Sequence, residues 1–357
     1  MIKDKPEDFI VDEVTNIKPK KSGDQVYILL TKTNWTTQRA INAIARALRI
    51  TKRRIGFAGT KDKRAITSQV ISIFKKNRED IESLKLADMN LKVLGYGNDP
   101  ISLGNLVANR FKIRLNLSDD ERKTIKTRLP EIRKGFINYF GQQRFSSGGT
   151  AKIGKEILKS DFEASVKIIL SEHSNQDEFD KFVLDNWKNW SAILKECPRF
   201  FGIESKVLNY LVKNPTDYAG SIRKIAKPLR RLYVHAFQSL IWNRAVSKML
   251  KGTNLNLPGH QVIIPDKLPK NQELPLPGLD TDYSTEFGKL LAAELEMEKI
   301  DVESFNLKSM PELKSWGANR KIILKPKNLK FSKDVLSFEL AKGAYATVLI
   351  SHLTKSQ

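Results

Sequence analysis

The sequence predicts an α+β fold in which both ends of the chain build one sheet domain and a mainly helical segment is inserted between them. Three observations carry this. Over the first ~160 residues, short runs rich in β-branched and aromatic residues alternate with helical patterns. From about residue 155 the pattern turns mainly helical. Strand-like runs then return near the end of the chain. A length of 357 residues suits roughly two domains of ordinary size. A hydrophobic content of 40% suffices for a real core and excludes global disorder.

Residues 9–14, 26–31 and 69–74 read as strands. Between the second and third lies a helix: Ile41, Ile44, Ala45 and Leu48 recur at helical spacing, and Thr36 or Thr37 can cap its start. Its Arg39, Arg46 and Arg49 fit either a solvated face or contacts to phosphate. Segment 111–117 is the cleanest strand. Phe111, Ile113, Leu115 and Leu117 share one face, and Lys112, Arg114 and Asn116 the other. Downstream, Trp187, Trp190 and Ile193 mark one helix. Leu229, Leu232, Tyr233, Ala236, Phe237, Leu240 and Ile241 mark a longer one, with Gly252 as its stop. Prolines at 258, 265, 269, 275 and 277 then forbid a long helix and predict extended, turn-rich backbone. A helix at 287–298 follows, and residues 335–340 and 344–350 read as two strands joined at Lys342-Gly343.

With 62 Lys and Arg against 40 Asp and Glu, the formal net charge is +22 and the pI about 9.8. That balance points to a polyanionic partner, nucleic acid ahead of an anionic membrane surface, unless it marks only a soluble, lysine-rich surface. The single cysteine, Cys197, excludes an intramolecular disulfide and a Cys-rich zinc site and suits a reducing, intracellular setting. His173, His235, His260 and His352 lie too far apart in sequence for a helix-spaced zinc motif. The charged first residues read as no signal peptide. Apolar runs stop well short of the ~18–20 residues of a membrane span.

One segment concentrates chemistry: Phe57-Ala58-Gly59-Thr60-Lys61-Asp62-Lys63-Arg64-Ala65-Ile66-Thr67-Ser68-Gln69. Gly56 and Gly59 permit a tight loop ahead of a strand. From residue 51 to 64 there are six basic residues and one acid, Asp62. A phosphate cradle is disfavoured, because the Walker pattern is missing. Two readings remain: an Asp turn with salt bridges, or a carboxylate nucleophile facing a substrate held by cations. A second segment, Gly135-Phe136-Ile137-Asn138-Tyr139-Phe140-Gly141-Gln142-Gln143-Arg144-Phe145, interleaves aromatics with amides. It fits either base stacking with edge recognition or a buried aromatic strand.

Taken together, these stretches resemble the TruD family of tRNA pseudouridine synthases. The resemblance rests on Pro6-Glu7-Asp8-Phe9-Ile10-Val11, the 57–69 segment, Gly104-Asn105 with Asn109-Arg110-Phe111, Asn138 to Phe145, and Lys342-Gly343-Ala344-Tyr345-Ala346-Thr347. The blocks occur in the family's order and span nearly its length. Segment 164–315 matches less clearly, although His235-Ala236-Phe237-Gln238-Ser239-Leu240 and Leu276-Pro277-Gly278 look familiar.

The resemblance implies a central, largely antiparallel sheet flanked by helices. It implies a discontinuous catalytic domain of residues 1–163 and 316–357 and an inserted domain of 164–315. It implies tRNA as partner, position 13 as target uridine, a cytoplasmic monomer, and no cofactor or metal. Asp62 matches the catalytic aspartate. Phe9, Asn138 and Tyr345 match positions lining the uridine pocket, with Tyr345 a Phe in some members. Lys3 aligns with a basic pocket position. Lys61 and Arg144 are further substrate-binding candidates, Arg144 either anchoring a phosphate or bracing the loop of Asp62. Asp62 then acts either at C6 of the base or at sugar C1′. The rival functions are a non-catalytic RNA-binding or ribosome-associated protein and, more remotely, hydrolytic RNA processing.

Overall fold

A computed structural model describes residues 5–146, 148–173, 176–257 and 259–355. Lys3 and Pro258, both singled out above, lie outside the described residues. Two compact units emerge, Met1–Phe136 with Leu324–Leu349, and Ile137–Ile323 with Ile350–Gln357. The first opens with β1 (Phe9–Thr15), β2 (Gln25–Thr33), α1 (Thr37–Ala47), β3 (Ile55–Phe57), β4 (Ile66–Phe74), α2 (Arg78–Glu82), β5 (Met89–Gly97), β6 (Leu106–Arg114) and α3 (Asp119–Lys134). After β7 (Phe136–Ile137), the second unit is mainly helical: α4 (Gln142–Phe145), α5 (Gly149–Leu158), α6 (Phe162–Ser171), α7 (Asp177–Asp185), α8 (Trp190–Glu196), α9 (Glu204–Leu211), α10 (Tyr218–Arg223) and α11 (Lys227–Lys248). Short strands β8 (Gly252–Leu257), β9 (His260–Pro265) and β10 (Glu273–Pro275) precede α12 (Glu286–Met297), β11 (Asn319–Lys321) and β12 (Ile323–Leu324). The chain closes with β13 (Lys327–Ser332), β14 (Val335–Ala341) and α13 (Ala346–Thr354).

Among the described residues, eight strands of the first unit form one sheet in the order β13-β14-β6-β1-β4-β2-β5, with β3 also paired to β4. Its pairings are antiparallel except for β1 with β4. Register places Lys32 opposite Thr67, Thr67 opposite Val11, Val11 opposite Phe111 and Phe111 opposite Phe338. Opposite residues project to the same face, so these five form one buried row across the sheet, with a single charge in it. On the same face, α1 buries Ala40, Ile41, Ile44 and Ala45 against Ile28, Leu30, Ile71 and Ile73. Its start is fixed by the Thr36 hydroxyl, which accepts the Arg39 N–H. The alternation read from residue 111 holds: Phe111, Ile113, Leu115 and Leu117 are buried, while Lys112, Arg114 and Asn116 are exposed.

Three local expectations are corrected. Residues 344–350 are no strand; α13 occupies most of that stretch. Its Val348, Leu349, Ile350, Ser351, His352 and Leu353 are all buried. A helix buried on nearly every side lacks the 3.6-residue polar face, so periodicity cannot tell it from a strand. Trp187 lies outside the helix it was to mark, because Asn189 caps a helix that begins at Trp190. The long helix ends at the Met249 cap, and Gly252 instead opens β8.

Within the second unit, α5 lies against α11, which groups residues 149–158 with the helical unit by contact. Gly154 makes that approach possible. A Cβ there would overlap the Tyr233 carbonyl and backbone. Gly154→Ala should therefore destabilise the fold by ~1–3 kcal/mol, overpacking outweighing alanine's better helix propensity. Urea denaturation of variant and wild type checks the sign.

Candidate active site

The Asp62 loop sits where the sheet divides. β2 occupies one edge of β4 along its whole length, from Ile66 to Phe74. On the other edge β1 pairs only from Ile66 to Ser68, and β3 takes over at Ile71–Ile73. Between them neither β1 nor β3 places a residue in register with Val70, and a side chain reaches in: Glu13 Oε1 accepts the Val70 N–H at 3.4 Å. Glu13 Oε2 takes the Lys61 ammonium at 2.6 Å, with 0% and 7% of the two side chains exposed. A buried pair of this kind survives only because its hydrogen bonds are made.

The loop is held at further points. The Lys61 N–H donates to Thr37 Oγ1 at 2.9 Å, and that hydroxyl donates to Gln69 Oε1 at 2.8 Å. Gln69 Nε2 donates to the Gly59 carbonyl at 3.3 Å. Gly59 has φ +132, a region that suits glycine. Lys32, fully buried, donates to the Trp35 carbonyl and, at 3.2 Å, to the Asp62 carbonyl. Burial pushes the Lys32 ammonium down to about 8; the Asp62 charge opposes that shift and the Lys61 charge adds to it. Asp62 itself is half-buried, between buried anchors and the exposed Lys63 and Arg64.

The other candidates of this unit divide. Tyr345, half-buried, directly precedes α13, and its carbonyl accepts the Leu349 N–H at 3.3 Å. It follows β14, whose last residue, Ala341, stands opposite Ala108, itself opposite Val14. Tyr345 therefore leaves the sheet at the Glu13–Val14 end of β1. Phe9 lies four residues back along β1, about 13 Å. Its ring is buried edge-on to Phe111 at 6.2 Å, and Phe111 stacks on Phe338 at 5.1 Å.

Asn138 and Arg144 belong to the second unit. Asn138 is buried and fully oriented: its N–H donates to the Ile322 carbonyl at 2.8 Å and Nδ2 donates to the Lys321 carbonyl at 2.9 Å. Its Oδ1 accepts from Arg320 Nη2 at 2.6 Å, and its backbone carbonyl accepts from Arg320 Nε at 2.9 Å. The Arg320 guanidinium lies 3.9 Å from the centre of the Phe140 ring, and that of Arg144 5.4 Å. Asn243 of α11 bonds both the N–H and the carbonyl of Phe140, each at 2.9 Å.

Glu13, Lys32, Thr37, Gln69 and Arg320 escaped the sequence reading. Two of them carried a signal. In Phe9-Val11-Glu13 and Ile28-Leu30-Lys32, a charge occupies an inward position of a period-two pattern. Arg320 carried none, because its partners lie some 180 residues away in sequence.

A family model described as tRNA pseudouridine synthase D (TruD) matches residues 1–273 and 271–353. The chain belongs to the TruD family of tRNA pseudouridine synthases. A TruD relative from Methanosarcina acetivorans, named as a tRNA pseudouridine synthase D, is 33% identical, covering 98% of this chain and 91% of the relative. One from Thermococcus sibiricus, named alike, is also 33% identical, covering 99% and 94%. A TruD crystal structure from Methanosarcina mazei superimposes with a TM-score of 0.70 at 30% identity, covering 99% of this chain and 93% of that one.

Lys32 gives this TruD-family site a pH signature. Its ordinary value of 10.5 falls to about 8 in the fold. Between those values the unfolded chain keeps a proton that the folded chain has released, so stability from this group rises with pH there. Below about 8 the cost of burying the charge is fully present. Lys32→Met removes that slope. Urea unfolding from pH 7 to 10 should show wild type gaining stability relative to the variant as pH rises; a constant difference contradicts the assignment.

Proposed function

We propose that the chain converts a uridine of tRNA to pseudouridine, at position 13, with Asp62 as the nucleophile. The observation supporting this most directly is the clamping of the Lys61–Asp62 loop at the sheet division by Glu13, Thr37, Gln69 and Lys32. A turn aspartate needs no such scaffold. A nucleophile does, because small displacements of an attacking group cost large factors in rate.

The target base must first leave its stack, at a cost of a few kcal/mol, while the basic surface holds the backbone. Asp62 attacks C6 of the base or C1′ of the ribose. The N1–C1′ bond breaks, the ring turns, a C5–C1′ bond forms, and the bond to the Asp62 carboxylate breaks, which returns the free enzyme. The proton on C5 leaves and N1 gains one, so the product is an isomer of the substrate. Phe9, Asn138, Tyr345 and Lys3 are the proposed contacts of the target uridine, and Arg144 is a proposed anchor for a phosphate of the same tRNA. Lys61, whose ammonium is paired with Glu13, contributes by holding the loop.

Asp62→Asn keeps the side-chain volume and removes the anionic oxygen. Pseudouridine mapping in a tRNA transcript should show modification at position 13 by wild type and a loss of more than about 1,000-fold in the variant. The variant's tRNA affinity should stay within about threefold of wild type, since no phosphate contact is removed. Turnover by the variant removes Asp62 from the mechanism. Binding without modification by wild type favours the RNA-binding alternative.

A further inference from the structure

A cavity of about 340 Å³ lies within the second unit, lined by Phe140, Arg144, His235, Gln238, Lys314 and Trp316 among others. Among the described residues lining it there is no carboxylate. Its wall carries Trp316, a residue 52% exposed, with the Lys314 ammonium 4.1 Å from its ring centre. That indole is held on a stiff backbone. The Trp316 carbonyl accepts the Asp280 N–H at 2.8 Å, and the Ser315 carbonyl accepts the Leu279 N–H at 3.2 Å. Gly278 packs so tightly on Trp316 and Gly317 that a Cβ there would overlap both backbones, and Gly317 adopts φ +99. A large aromatic half open to solvent on rigid backbone suits recognition.

The chemistry around it is that of a nucleotide. Arg144 lines the cavity, its guanidinium 5.4 Å from the centre of the Phe140 ring, and so adds a second positive charge to that of Lys314. The packed protein around His235, with repulsion from Arg144 and Arg231, holds its imidazole below the ordinary value, so it is neutral at pH 7 and offers one donor and one acceptor. Gln238, whose Nε2 donates to the Pro277 carbonyl at 2.7 Å, keeps its amide oriented.

We propose that this cavity is a second nucleotide subsite, taking an unstacked RNA nucleotide other than the isomerised uridine, with its base on Trp316 and its phosphate between Arg144 and Lys314. The proposal rests on tRNA as substrate but not on Asp62 as nucleophile. Indole stacking on a flat base tolerates any sequence, and two cations with no carboxylate favour a phosphate.

Filter binding of a tRNA transcript to the full chain tests it without needing turnover. Trp316→Ala should weaken affinity about tenfold, the scale of one lost base stack. Trp316→Phe, which keeps a stacking face, should stay within about threefold of wild type. Lys314→Ala should weaken binding and lower the dependence of log K on log salt by about one unit. Unchanged affinity in Trp316→Ala overturns the proposal. So does an equal loss in the Ala and Phe variants, which marks a structural role. If wild type forms no pseudouridine while Trp316→Ala still loses binding, the subsite stands and the reaction assignment falls.

Discussion

The site depends on one backbone N–H. Where β1 and β3 exchange places along β4, no strand residue stands beside Val70 on that edge, and a buried donor left unpaired costs a folded protein about 1–3 kcal/mol. Glu13 closes the gap and in doing so buries a carboxylate. A buried carboxylate demands a cation, and Lys61, one residue before Asp62, supplies it. The sheet defect and the position of the candidate nucleophile are thus the same fact. Neither can be altered without the other, because each charge would be left alone in the interior.

Lys32 extends this logic on the other side of the loop. It stands in a row of otherwise uncharged buried residues, Thr67, Val11, Phe111 and Phe338. A methionine there would fill similar space at no desolvation cost. What the ammonium adds is a pair of donors directed at the Trp35 and Asp62 carbonyls, which joins the entry to α1 to the loop. The depressed value of Lys32 is the thermodynamic trace of that arrangement: folding tolerates an unfavourable group because it fixes a geometry.

How much of this the sequence disclosed follows from distance along the chain. Local rules worked where local forces decide. The Thr36 cap, the apolar stripe of α1 and the alternation through Phe111 and Ile113 are set by neighbours within four residues. They failed at α13, where the solvent-facing side that periodicity needs is absent, and at Trp187, where Asn189 sets the helix start. Asp62, Asn138 and Tyr345 stood out only through ordered motif blocks, since nothing in a Lys-Asp-Lys run by itself separates a turn from a nucleophile. The clamps were invisible for a different reason. Glu13 meets Lys61 across 48 residues and Arg320 meets Asn138 across 182, separations no periodicity spans. The charges at inward positions 13 and 32 were nonetheless readable as conflicts between local pattern and side-chain type, which is where functional scaffolding tends to show.

The second unit solves the same problem with different parts. The proposed contact of the Asn138 amide with a base requires that the amide not rotate, and rotation is stopped by Arg320, which bonds both Oδ1 and the backbone carbonyl. Arg320 is itself pinned, its guanidinium against the face of Phe140 and 5.6 Å from the centre of Trp242. Phe140 is in turn fixed through both backbone polar groups by Asn243. Each layer spends a polar or charged group inside the protein to immobilise the next. Once the N1–C1′ bond breaks, the sugar no longer fixes the orientation of the uracil ring, so rigid hydrogen-bonding groups help decide whether C5 or N1 meets C1′. Preset polar groups are what such a rearrangement requires. A looser site would favour release of the base, because an unheld ring gains translational and rotational freedom on leaving.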